Sequence, residues 1–481
     1  MLRQRKFGFP IILLGLGVLL WACAKDYVTG KRRITLVSES QEIAMGVDAD
    51  PSIVAEFGIY NDPSLAAFVD GVGQSMAKIS HRPTLKFTFR VVDSPVVNAF
   101  AVPGGFVYFT RGILAHFNDE AELAGVMGHE IGHVTAQHGV EQMTNQQLAG
   151  IGLLAGTILS EDFRRFGDQA QQALGLIFLK FSRDDESESD KLGVEYSTKA
   201  GYDAQHMASF FRTISRITQQ AGGGPPTFLS THPNPDNREV RVGELAKEWQ
   251  LKAPGPKGGT DRAAYLRRID GIVYGDDPRQ GFVENDYFYH PDLKFQFSVP
   301  AGWQVANQPS QVQMISPQKN AAIQFTLDKG ASAQEAAQTF VQNSKAQVLR
   351  SSAVQVNGMR AYMTIGDLQT QDGGVMRVMS YFIERDGGIY VFHGYTAANL
   401  FDSQAAAFER TMKSFDQLRN QSALTKQPRR VKIMTVDQAG DLRTVLTRYG
   451  TKTEELEDLA ILNGMYLQDR LERGALVKVA R

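Results

Sequence analysis

The run Gly128-His129-Glu130-Ile131-Gly132-His133 sits inside an apolar stretch with helical spacing. Residues four apart on a helix share a face, so His129 and His133 can hold one metal ion together. Glu130 is turned from His129 by about 100°, which brings its carboxylate beside the metal rather than onto it. Two histidine ligands plus a general base is the arrangement of a helix-borne zinc protease. The competing reading is an ordinary helix with scattered histidines, which a chain of only nine histidines disfavours. Asn118 or Asp119 supplies the N-cap of this helix, which is predicted to run to about Asn145.

A catalytic zinc needs a third protein ligand and one open position. The candidate lies in Ser182-Arg183-Asp184-Asp185-Glu186-Ser187-Glu188-Ser189-Asp190. Glu186 and Asp190 are four apart on one helical face, so Glu186 can ligate while Asp190 orients a ligating histidine. The same acidic run also reads as a solvated helix start, where negative charge suits the dipole. His138, nine positions after His129, falls on the opposite face of a continuous helix and is not expected to ligate. His116, His290 and His393 have no supporting spacing and read as structural.

Work outward from the histidine helix and the rest of the first region follows. Ser38 caps a helix running to about Asp48, and a second runs from Pro63 to Ser80. Leu85, Phe87, Phe89 and Val91 alternate with polar residues as in a half-buried strand. Phe106 to Thr110 forms another strand after the turn Pro103-Gly104-Gly105. Leu148 to Leu159 and Ala170 to Phe181 are apolar stretches between the second and third ligand candidates, suited to covering a cleft.

The chain has 481 residues, a formal net charge of −1 and one cysteine. The length predicts two to four domains, and the charge argues against nucleic-acid partners. Arg3, Arg5 and Lys6 precede the apolar run Ile11 to Trp21, too short to span a bilayer comfortably and suited to a secretory leader over residues 1–22. Leu20-Trp21-Ala22-Cys23 resembles a bacterial lipobox, making Cys23 the expected site of lipidation and the membrane anchor. Ala24, in place of an Asp, leans towards the outer membrane. With one cysteine, no intrachain disulfide and no thiolate zinc ligand are available.

Residues 23–275 are expected to form the metal-binding domain. Residues 285–417 carry strand patterns at Lys294 to Val299, Gln311 to Ser316, Ala322 to Leu327, Arg360 to Gly366, Val375 to Ile383 and Gly388 to Thr396. Arg385-Asp386-Gly387 is a hairpin turn. Two helical patterns, Ser332 to Ser344 and Ser403 to Ser414, make this an α+β domain without a catalytic constellation. Residues 431–481 read strand, helix, helix, strand.

The His-Glu-Ile-Gly-His run, the segment from Ser182 to Asp190 and Asn98-Ala99-Phe100-Ala101-Val102-Pro103-Gly104-Gly105 together resemble peptidase family M48, over about Val28 to Tyr274. Without multiple membrane spans, the chain is similar to the family's soluble, periplasmic BepA-like group. The resemblance implies an α+β, mainly helical gluzincin-type zinc protease domain with a small sheet. It implies one zinc held by His129, His133 and Glu186, with Glu130 as general base for water and Asp190 hydrogen-bonded to His129. It places His232, in Ser230-Thr231-His232-Pro233-Asn234-Pro235, close to the metal, as an oxyanion stabiliser or as an occupant of the open position. The bland alternative is a loop histidine capping the next helix. Asn98, Ala99, Phe100 and Ala101 resemble the edge strand to which an extended substrate adds through its main chain.

Residues 285–417 resemble PsbP-like domains. Residues 431–481 resemble a divergent LysM module through Gly440-Asp441-Leu442, Leu462-Asn463-Gly464 and Arg473-Gly474, which implies peptidoglycan or a docking protein as a partner. The expected function is zinc-dependent cleavage of exposed or misfolded polypeptides, outer-membrane assembly proteins among them, as quality control in the periplasm. Two alternatives stand beside it: a non-proteolytic chaperone-like scaffold, and a peptidoglycan-associated hydrolase.

Overall fold

The computed structural model describes residues 23–145, 181–220, 228, 231–232, 237–253, 258–328, 330–370 and 373–481. The leader 1–22, the apolar stretches Leu148 to Leu159 and Ala170 to Lys180, and the loops around Gly222 to Pro226 and Pro254 to Pro256 lie outside them. The chain divides into two units, residues 1–275 with 429–481, and residues 276–428. Among the described residues, no helix is long and apolar enough to cross a membrane.

The first unit begins with a short hairpin, β1 Cys23–Lys25 and β2 Arg32–Ile34. Helix α1, Glu39–Phe57, starts at Ser38, whose side chain accepts from the Gln41 amide while Gln41 reaches back in a capping box. Helix α2, Pro63–Ala77, is capped by Asp62 with Pro63 in its first turn. The small sheet comprises β3 Thr88–Val92, β4 Ala99–Val102 and β5 Phe106–Thr110, in the order β3-β5-β4. β3 is parallel to β5 and β4 antiparallel to it, which leaves β4 on an edge.

After α3, Arg111–His116, Asp119 caps α4, Glu120–Thr135, by accepting from the Glu122 amide. Every residue from Ala121 to Thr135 is buried, so α4 is a core helix enclosed on all sides rather than an amphipathic one. It stops ten residues before the predicted end. Gln137 takes a left-handed φ of 56°, and a fresh helical turn starts at His138. Helices α5 Arg183–Lys199 and α6 Gln205–Gln220 pack on α4, α7 Arg238–Lys252 packs on both of them, and α8 Arg262–Ile269 joins the same hydrophobic cluster.

The chain returns to this unit at its end. β6 Val431–Thr435 pairs antiparallel with β9 Leu476–Ala480. Between them lie β7 Gly440–Asp441, α9 Leu442–Arg448, α10 Leu456–Leu462 and β8 Arg470–Leu471. The sequence sets 431–481 apart as a segment with a small core of its own. In the structure Leu442, Leu446, Leu459 and Val477 join the same hydrophobic cluster as Phe117, Phe210 and Leu266. Lys478 is fully buried, and its Nζ donates to the carbonyls of Ala115, Phe117 and Leu462 at 2.8, 2.6 and 2.9 Å. A buried amine thus meets carbonyls that the ends of α3 and α10 leave unsatisfied.

The second unit is built on a seven-stranded sheet. Its order is Gln347–Val356, Met359–Gln369, Val375–Arg385, Gly388–Ala397, Ala321–Asp328, Gln311–Ile315 and Gln304–Gln308. All its pairings are antiparallel. Alternate residues of the strand Gly388–Ala397 go to opposite faces: Ile389 and Val391 pack with Ala336 and Phe340 of helix Ala333–Ser344, while Tyr390 and Phe392 join Phe408 and Met412 of helix Phe401–Lys413. The strand Gln347–Val356 has no counterpart in the sequence reading. It is a largely exposed edge, so no core-facing run marks it. His393 lies against Phe340 at 4.4 Å between ring centres, with Ser380 Oγ 2.7 Å from its Nδ1.

Candidate metal centre

Glycine decides how closely α4 and α5 approach. A Cβ on Gly128 would lie 2.8 Å from the Gly193 carbonyl oxygen and 3.0 Å from Gly193 Cα. One on Gly132 would meet Leu192 Cβ and Ser189 Cα, each at 3.2 Å. Two helices that touch backbone to backbone bring the short acidic side chains of α5 to the histidines of α4.

His129, His133, Glu186 and His232 each offer a donor atom, all within 4.8 Å of one another, and all four residues are buried. His133 Nε2 is 3.0 Å from His129 Nε2. Glu186 Oε1 is 3.4 Å from His133 Nε2 and 3.0 Å from His232 Nδ1, and Glu186 Oε2 is 3.5 Å from His129 Nε2. Among the described residues, Glu186 Oε2, His232 Nε2 and both carboxylate oxygens of Glu130 have no hydrogen-bond partner. Convergent buried nitrogen and oxygen donors left without hydrogen bonds are what a metal ion satisfies, and two or three imidazoles with one carboxylate suit zinc. The donor set therefore fits the ion.

The electrostatics are those of a buried acid–base cluster. Burial and the Arg238 guanidinium oppose a charge on His129, but hydrogen bonds to Asp190 and Glu186 outweigh them and hold its pKa up at about 9. Burial pushes Glu130 above the usual carboxylate range, against the pull of His232 and His129. Glu186 is driven the other way. Burial would raise it, yet His232 and Arg238 hold it well below its ordinary value.

Asp190 Oδ1 is 3.1 Å from His129 Nδ1. It also accepts from Arg238 Nη2 at 2.6 Å, and Arg241 Nη2 donates to Asp190 Oδ2 at 3.0 Å. Arg238 Nη2 lies 3.1 Å from Glu186 Oε2, and its guanidinium covers the Phe211 ring at 4.0 Å. Arg238, which helical spacing does not mark, is a fully enclosed cation inside the cluster, and its position just after His232 is the signal that could have marked it. His138 is a correction. The break at Gln137 turns it back, and its Nδ1 lies 3.0 Å from His133 Nδ1.

The acidic run both opens a helix and supplies two carboxylates to the cluster. Ser182 caps α5 in a capping box with Asp185, while Glu186 and Asp190 point into the cluster. Phe181 stacks on His133 at 4.1 Å and Phe228 on His232 at 4.7 Å, walls that no spacing in the sequence announces. Asn98 precedes the edge strand β4, which runs beside α4. The Phe100 side chain is buried against Tyr108, and along β4 only Ala101 is half-buried while Ala99, Phe100 and Val102 are buried. Cys23 opens β1. The residues following His232 up to Asp236 lie outside the described part.

A helical core on a small sheet, with a buried His/Glu donor set beside an edge strand, defines a domain of the metallopeptidase class. Residues 63–246 match the model of peptidase family M48. The beta-barrel assembly-enhancing protease of Escherichia coli is 31% identical over 42% of this chain and 43% of its own. The protein of that name from Yersinia pestis is 29% identical, over 50% of each. The mitochondrial metalloendopeptidase OMA1 of Schizosaccharomyces pombe is 29% identical over 52% of this chain and 75% of its own. The chain spans half or less of the length of these bacterial relatives. Among solved structures, cyanobacterial PsbP from Synechocystis covers 27% of this chain at 15% identity and a TM-score of 0.24. The Saccharomyces cerevisiae Ran-binding protein Mog1p covers 28% at 13% identity and 0.22.

Proposed function

We propose that this chain is a zinc-dependent endopeptidase of the gluzincin type that cleaves exposed or misassembled polypeptide in the bacterial envelope. The carrying observation is the convergence of His129, His133 and Glu186 with an enclosed Glu130 that makes no hydrogen bond. His129, His133 and Glu186 hold the ion, which when bound supplies Lewis acidity at the cleft. Glu130, enclosed beside the three ligands, takes a proton from the attacking water as the new C–O bond forms. It passes that proton to the departing amine as the C–N bond breaks. Asp190 and Arg238 orient His129 and Glu186. The free edge of β4 receives the substrate main chain, a mode that selects extended chain rather than a particular sequence.

The names of the bacterial relatives point to β-barrel assembly as the process served. The lone cysteine at the end of a basic-then-apolar leader supports a lipid anchor at Cys23, and incorporation of labelled palmitate, lost in Cys23→Ser, tests it. Peptidoglycan remains a proposed partner of the LysM-like tail.

A second reading is favoured by one observation. His232 is itself one of the four converging donors, and a ring that stays there would close the site and leave a binding scaffold. Zinc content and casein cleavage, measured on the chain from Cys23 and its Glu130→Gln variant, separate the two. The peptidase reading expects about one zinc per chain in both proteins and a drop in cleavage of at least about 100-fold in the variant. Equal cleavage by the two proteins, or none by either, would discard it.

A further inference from the structure

We infer that His138 is a positioning residue for His133, and that Glu188 completes the arrangement as the outer end of a His133–His138–Glu188 relay. The inference rests on the metal reading above. His133 turns its Nε2 towards the donor cluster, 3.0 Å from His129 Nε2 and 3.4 Å from Glu186 Oε1. Its other nitrogen, Nδ1, faces His138 Nδ1 at 3.0 Å, with the two rings nearly perpendicular at 75°. His138 Nε2 in turn lies 3.2 Å from Glu188 Oε2 and 3.9 Å from Asp185 Oδ1.

Only one placement of protons satisfies all of these contacts. A ligating Nε2 needs a free lone pair, so the proton of His133 sits on Nδ1 and donates to His138 Nδ1. The proton of His138 must then sit on Nε2, where it donates to the Glu188 carboxylate. Ser189 Oγ, 3.3 Å from His138 Nδ1, is a hydroxyl and can donate to the same acceptor. The relay fixes both the tautomer and the ring angle of His133, as partners of ligating histidines generally do. Asp190 does this for His129 with a carboxylate in direct contact. His133 has an imidazole interposed, and the carboxylate is 35% exposed at the protein surface.

The backbone is bent to make this contact. On an uninterrupted helix His138 would point elsewhere, but the left-handed Gln137 carries it back. Gln137 is held in place by donating from its Nε2 to Glu42. A left-handed conformation is unfavourable for a residue with a Cβ, so the turn is one that the surroundings impose.

The test is zinc affinity by chelator competition on the chain from Cys23, with the melting temperature of the metal-stripped protein as control. His138→Phe keeps the ring volume and removes the acceptor, and a loss of affinity of about 10- to 100-fold is expected. His138→Asn places a carbonyl oxygen near the Nδ1 position and should recover most of that loss. Glu188→Ala, at a partly exposed position, should weaken binding by a smaller factor with unchanged melting, and it carries the test if His138→Phe does not fold. Wild-type affinity in both Glu188→Ala and His138→Phe, or an Asn variant as weak as the Phe one, overturns the relay and leaves the metal site standing. A wild-type chain that binds no zinc overturns the metal reading itself.

Discussion

His232 Nδ1 lies 3.0 Å from Glu186 Oε1, although 46 residues separate the two in the chain. The other nitrogen of the ring is 3.5 Å from Glu130 Oε1. One imidazole thus stands between the Glu186 and Glu130 carboxylates, backed by the Phe228 ring.

Removing that ring should open the cleft. His232→Ala is expected to keep the metal, because three donors remain, and to raise casein turnover several-fold at equal zinc content. A fall in turnover with zinc retained would instead assign His232 to stabilising the developing oxyanion.

Gly128 is the point where packing controls chemistry. In Gly128→Ala the new methyl meets the backbone of Gly193, which has no side-chain rotamer with which to yield. The overpacking should cost about 1–3 kcal/mol, and the displacement of α5 should withdraw Glu186 and Asp190. Zinc content should fall well before the fold is lost. A stable variant with full zinc content would mean that α5 reaches the site by another route.

Lys478 ties the tail to the metal-binding unit. Lys478→Met leaves three buried carbonyls without their donor and should cost about 3 kcal/mol, read as a lower melting temperature of the first unit. Deleting residues 431–481 should expose the shared core and yield aggregated protein. A monomeric, active truncation would show that the tail is dispensable to the core.

His393 makes the second unit sensitive to acid. Burial lowers its pKa from 6.5 to about 4. The unfolded chain therefore takes up a proton near pH 6.5 while the folded chain resists until about 4. The stabilisation is complete above pH 6.5 and is lost as the pH falls through that interval, by about 3 kcal/mol in all. Chemical denaturation of the second unit at pH 7 and pH 4.5 should show most of this loss, and His393→Phe should remove its share, leaving the share of His290, whose pKa burial also lowers to about 4.

Much of the site was legible in sequence because its spacing is local. A helix places His129 and His133 on one face whatever surrounds it, and Glu186 with Asp190 repeat that logic on a second helix. The caps Ser38 and Asp119 are read the same way, since each satisfies a backbone group within three residues. Alternation marked most strands of the second unit for the same local reason, and failed at Gln347–Val356, where an exposed edge carries no apolar pattern.

What depends on distance in the chain was beyond such reading. That α4 ends at Thr135, so that His138 turns back onto His133, is decided by a left-handed Gln137 held by Glu42 from another helix. Arg238 enters the metal cluster because α7 packs against α5, and the tail joins the first core through Lys478 and its neighbours. The sequence by itself determined which side chains could hold a metal and move a proton. The tertiary structure alone decided which partners hold those side chains still, because periodicity records the faces of an element and not the elements that come to meet them.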